Sequence, residues 1–145
     1  MALTSVEGID TTIQKTNLWL KDIMGELAWV DRHKAYLALR AVLHALRDRL
    51  TVDEAVNLGA QLPMLVRGLY YEEWRPHGRP IKYSRNEFLS QVAAQFNEPD
   101  VDSEKITHAV FRVLSRKIAA GEIADVKGVL PKAMRELWDE HVAPV

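Results

Sequence analysis

A chain of 145 residues is long enough for one compact domain that buries about two-thirds of its unfolded surface. Its 48% hydrophobic and 27% charged residues argue for a folded globular protein, and a formal net charge of -1 supplies no overall attraction for nucleic acid or anionic lipid. The absence of cysteine excludes disulfides, thiol nucleophiles and thiolate metal sites.

The opening residues carry neither the basic region nor the apolar core of a signal peptide, and no run of about 18 apolar residues follows. A soluble, cytoplasmic protein is therefore expected, with no membrane association. Thr11 and Gln14 have capping-box spacing and predict a first helix through Leu20, Ile23, Met24 and Leu27, ending near Trp29. A second helix places Leu39, Val42, Leu43, Leu46 and Leu50 on one face and Arg40, His44, Arg47 and Asp48 on others. Thr51 and Glu54 predict a capping box for a short third helix that stops before Pro63. Pro63 suits the first position of a fourth, running toward Trp74.

After the irregular stretch RPHGRP the series restarts. Ser84 and Glu87 form another capping box ahead of Phe88, Val92 and Phe96, and Asp102 is a fitting N-cap for a helix with Ile106, Val110, Val113, Leu114 and Ile118. A second Leu-Pro joint follows at Leu130 and Pro131. No stretch alternates as a strand would.

A shift of 68 residues, the distance from Pro63 to Pro131, aligns the two parts without a gap. It pairs Val42 with Val110, Leu46 with Leu114, Glu54 with Glu122, Arg67 with Arg135 and Leu69 with Leu137. The expectation is an all-α single domain over 1–145: two similar four-helix repeats, 10–75 and 84–142, joined by a linker at 76–83 and related by pseudo-twofold symmetry. One such unit alone would be marginal, whereas two packed face to face share a core.

The run AYLALRAVLHALRDRLTVDEAVNLGAQLPMLVRGLYYEEW, with FRVLSRKIAAGEIADVKGVLPKAMRELW, resembles the bacterial family called domain of unknown function 2267 over nearly the whole chain. The resemblance implies an all-helical, cytosolic bacterial protein with an internal duplication, and brings no known activity, ligand or catalytic residue.

Several residue sets are candidates for function. The duplicated Glu54 and Glu122, with Arg67 and Arg135, read as structural Glu-Arg bridges across the proline joints. Arg40 and His44 exchange places with His108 and Arg112, so each repeat has one Arg and one His four residues apart on a helix face. Should those faces meet, they would form a small-anion site. The tract with Tyr70, Tyr71, Trp74, Arg75, Arg79, Lys82, Tyr83 and Arg85 mixes aromatic and cationic side chains as interaction surfaces do. His33, His44, His77, His108 and His141 have no metal-binding spacing, and no nucleophile elbow or phosphate loop occurs, so no catalytic residue, metal or cofactor is expected. The leading expectation is a non-enzymatic module binding a protein partner or itself through the groove between the repeats and the Tyr70-to-Arg85 surface. A small-anion binder is the alternative, and a weak nucleic-acid binder comes after it.

Overall fold

The computed structural model describes residues 4–139, so His141 and the last positions of the second repeat lie outside the described residues. Eight helices and no strand occur among them. The first four are α1 (Glu7–Leu27), α2 (Arg32–Arg49), α3 (Val52–Gln61) and α4 (Met64–Tyr71). The second four are α5 (Arg85–Ala93), α6 (Ser103–Lys117), α7 (Ala120–Gly128) and α8 (Lys132–Asp139).

Local chemistry sets most of these boundaries. Asp31, Thr51, Ser84 and Asp102 each accept a hydrogen bond from a backbone N–H in the first turn of α2, α3, α5 and α6. At Ser84 the box is complete, because Glu87 also returns to the Ser84 N–H at 3.0 Å. The first helix differs from expectation: it begins at Glu7, and Thr11 lies inside it. It ends at Ala28, which takes a left-handed φ of 55° while the Trp29 N–H reaches the Met24 carbonyl at 3.0 Å. Pro63 stands at the N-cap of α4, one position earlier than expected.

Packing places each half's second helix at the centre. Within the first half α2 packs on α1 and α4; within the second, α6 packs on α5 and α8. Between halves α1 lies on α6, α5 lies on α2, α2 meets α6 and α3 meets α7. Exchanging the halves turns each of these inter-half contacts into itself or another of the set. The resulting core holds Leu39, Leu43, Leu46, Phe88, Val110, Phe111 and Leu114 at or near zero exposure, each such burial contributing about 1.5–3 kcal/mol. Charged seams border it, with Lys117 on Asp22 at 2.8 Å and Arg116 on Glu26 at 3.3 Å from α6 to α1, and Lys34 on Glu98 at 3.2 Å beside α5.

The two halves are unequal at their first helices, for α1 has 21 residues and α5 has 9. Positions equivalent to the front of α1 fall in the linker. One flank of α4 is therefore walled by α1, whereas the shorter α5 reaches α8 through Arg85 at its first position. α1 even caps α4, since the Thr12 hydroxyl accepts from the Leu65 N–H at 2.9 Å.

Candidate functional site

The last turn of a helix leaves carbonyls without intrahelical partners, and at α4 the neighbouring α2 supplies the missing donors. His44 Nε2–H donates to the Leu69 carbonyl at 2.7 Å, and Arg47 Nη1 donates to the Tyr70 and Glu72 carbonyls at 2.8 Å each. His44 and Arg47 are accordingly 9% and 4% exposed, so the expectation that they lie on faces away from the core does not hold. Burial, followed by the nearby Arg47 and Arg40 charges, lowers the His44 pKa, while the bond to Leu69 opposes this.

The exchange of Arg and His between halves has a structural basis here. In the second half His108 Nδ1–H donates to the Leu137 carbonyl at 2.9 Å, and Leu137 is the equivalent of Leu69. Positions 44 and 108 differ by one turn in the repeat register, yet their imidazoles reach the same carbonyl by using different ring nitrogens. Each guanidinium instead crosses to the opposite half. Arg40 donates to Gln95 at 2.9 Å and faces Glu72 and Glu73, and Arg112 pairs with Glu26 at 3.0 Å. Both cations thus have acidic partners in place, and both imidazoles have one nitrogen committed to the backbone.

At the proline joints Arg67 also turns to carbonyls rather than to Glu54. It donates to Gly59 at 2.9 Å, Leu62 at 2.8 Å and Ala60 at 3.4 Å, while Arg135 donates to Leu130, the equivalent of Leu62, at 3.3 Å. The duplicated arginine satisfies the carbonyls freed where one helix stops at a proline and the next begins. Glu54 and Glu122 face each other across the α3–α7 contact. Burial first, then the hydrogen bond to Glu54 and its charge, and Asp125 beyond, push Glu122 up to about 8. The expected Thr51–Glu54 capping box is half made, because Thr51 accepts from the Glu54 N–H at 3.2 Å while the Glu54 carboxylate makes no return bond to the Thr51 backbone.

The aromatic and cationic tract folds down as a strap. Tyr70 is fully buried and its hydroxyl donates to the Ala55 carbonyl at 2.7 Å, and Tyr71 meets the Tyr70 ring edge-on and the Trp74 ring at a tilt, at centroid distances of 4.9 and 5.3 Å. The Ile81 N–H and Arg79 both bond to Asp48, at 2.8 and 3.4 Å, and Arg49 donates to the Tyr83 carbonyl at 3.2 Å. Arg85 pairs with Glu104 and donates to Ala133 at 3.4 Å. Arg75 and Lys82 stay exposed.

A different surface combines concavity with exposed apolar side chains. A groove of about 690 Å³ runs between α1, α2 and α4, walled by Ile9, Ile13, Tyr36, Leu39, Leu65 and Leu69 with Met64 at its side. Met64 is 58% exposed and Leu65 46%. The threonines in its wall are spent internally, Thr12 on the Leu65 N–H and Thr16 on the Thr12 carbonyl at 2.7 Å. Glu72 is its one charged wall residue, at the end of α4.

The repeat register makes this surface conspicuous. Exposed Met64, Leu65 and Gly68 correspond to exposed Lys132, Ala133 and Glu136, while buried Val66 and Tyr70 correspond to buried Met134 and Trp138. Inward positions stay apolar in both halves, whereas the outward Lys132, Ala133 and Glu136 of α8 stand where α4 has Met64, Leu65 and Gly68. Comparing the halves for differences, rather than identities, is the signal in the sequence that points to this groove.

Among the described residues no helix is long and apolar enough to cross a membrane, and no three His, Asp or Glu side chains gather as a metal site. No curated protein matches the chain. A family model described as uncharacterized conserved protein DUF2267 matches residues 16–137, from within α1 to within α8, and takes in both proline joints. The chain belongs to the DUF2267 family.

Proposed function

We propose that the protein is a non-enzymatic interaction module that docks an amphipathic helix of a partner protein in the groove between α1, α2 and α4. The observation that carries this reading is the contrast at equivalent outward positions, Met64, Leu65 and Gly68 on α4 against Lys132, Ala133 and Glu136 on α8. Exposed apolar side chains clustered in a concave site gain by leaving water, and the same fold tolerates polar ones there. Three helices wall the groove, and a fourth helix laid along it would bury an apolar stripe of three- and four-residue spacing. The negative end of the α4 dipole lies at Glu72, whose carboxylate already faces Arg40 at 3.5 Å, and favours a lysine or arginine at that end of the ligand.

The test is a titration of isotope-labelled protein with a short helical peptide carrying a leucine stripe and one terminal lysine, followed by amide chemical shifts. Shifts confined to α1, α2 and α4 support the reading. Shifts spread over α5 to α8, or none at millimolar peptide, refute it. Light scattering on the free protein checks the other occupant: a dimer dissociated by Leu65→Lys would mean that a second copy, not a partner helix, fills the groove.

A further inference from the structure

Glu54 and Glu122 hold the third helical position of α3 and α7, and those helices meet across the two halves. In each carboxyl group Oε2 is sealed from solvent and has no hydrogen-bond partner. Helix capping does not account for the duplication. Thr51 precedes Glu54 as N-cap, but Ala119 stands at the equivalent place before Glu122 and makes no side-chain cap.

The groups facing the pair are acids. Asp125 approaches from α7 itself and Tyr70 from α4. The Tyr70 hydroxyl is already given to the Ala55 carbonyl, and Arg47, the cation nearest Tyr70 from α2, is spent on the Tyr70 and Glu72 carbonyls and on Asp48. Every ion pair found among the described residues involves other carboxylates. A buried and a half-buried carboxylate set together without a cation cannot both ionise cheaply, and a proton held by one gives the other a strong hydrogen bond.

We propose that Glu54 and Glu122 share one proton across the α3–α7 contact, and that this proton latches the two halves together, the contact loosening when both groups ionise. Direction follows from linkage. Glu122 lies at about 8 in the folded chain against an ordinary 4.5, so the folded state binds the proton more tightly than the unfolded one. The latch is fully present below 4.5, fades as pH rises through the interval to about 8, and is gone above it. The burial that raises the value is partial at Glu122, so screening by solvent tempers its size.

The experiment measures urea midpoints and amide exchange of α3 and α7 between pH 5 and 9, for the wild type, Glu122→Gln and Glu54→Gln. Exchange rates are corrected for intrinsic base catalysis. The wild-type midpoint should fall with rising pH and α3 and α7 should lose protection, whereas the variants, whose amide stands in for the protonated carboxyl, should show a flatter profile. The opposing contribution of His44 is common to all three proteins and cancels in the comparison. Parallel profiles in wild type and variants overturn the proposal. Should a variant not fold, carbon-detected titration of wild-type glutamate carboxyls decides: a midpoint near 8 supports the shared proton, and every glutamate titrating near 4.5 overturns it.

Discussion

Gly59 lies under the ring of Tyr71, so close that a Cβ on it would collide with the Tyr71 hydroxyl oxygen and come within 2.6 Å of the ring carbon bearing it. The equivalent positions in the second half are Lys127 and Asp139, whose side chains form an ion pair at 2.8 Å. One contact between a half's third and fourth helices is thus made in two chemistries, ring on backbone in one half and charge on charge in the other.

Gly59→Ala is expected to destabilise the fold by about 1–3 kcal/mol through overpacking, despite the better helix propensity of alanine. Replacing both partners, Gly59→Lys with Tyr71→Asp, removes the clash and should cost less than the sum of the two single changes. Urea denaturation of the three variants measures this; strict additivity would show that the two positions are not coupled.

His44→Ala should lower stability by about 0.5–1.5 kcal/mol, because it removes the imidazole bond to the Leu69 carbonyl and leaves that carbonyl only the longer one from the Glu72 N–H, at 3.3 Å. His33→Ala, at an exposed position, is the control and should be near neutral. The pH dependence has a definite sign. A histidine whose folded pKa is lowered stabilises above its ordinary 6.5 and loses that contribution as pH falls from there toward the folded value. The wild type should therefore lose more stability than His44→Ala on going from pH 7 to pH 5, a difference that matching curves would contradict.

Arg67→Ala should cost more than Arg135→Ala, since Arg67 donates to three carbonyls at its joint and Arg135 to one. Each lost bond is worth about 0.5–1.5 kcal/mol. Thermal or urea midpoints measured side by side test the ordering, and equal losses would mean that the extra bonds of Arg67 add nothing.

Much of this architecture is legible in the sequence because its local signals agree with its packing. The Ser84–Glu87 box, the Asp102 cap and the two Leu-Pro joints all fall where side chain and backbone chemistry demand a boundary. The start of α1 is not legible in that way, since Val6 at its N-cap offers no side-chain acceptor. His44 and Arg47 read as outward because periodicity sorts residues by polarity alone. Their burial depends on carbonyls at the end of α4, which become neighbours of α2 only in the folded chain. The tract from Tyr70 to Arg85 has interface composition, but Asp48 and Arg49 at the end of α2 draw its backbone and Arg79 inward, and that long-range pairing has no sequence signature. Arg67 has the charge to bridge Glu54, yet the carbonyls of Gly59 and Leu62 beside the proline joint compete for the same guanidinium and hold it.

Site-specific photo-crosslinking in cells tests most directly the proposal that α4, rather than its counterpart α8, carries a docking groove. A photoreactive amino acid replaces Leu65 in one protein and the equivalent Ala133 in another. The account predicts a crosslinked partner helix from position 65, abolished by Met64→Lys, and none from position 133. Equal capture from both positions, or none from position 65, would contradict it.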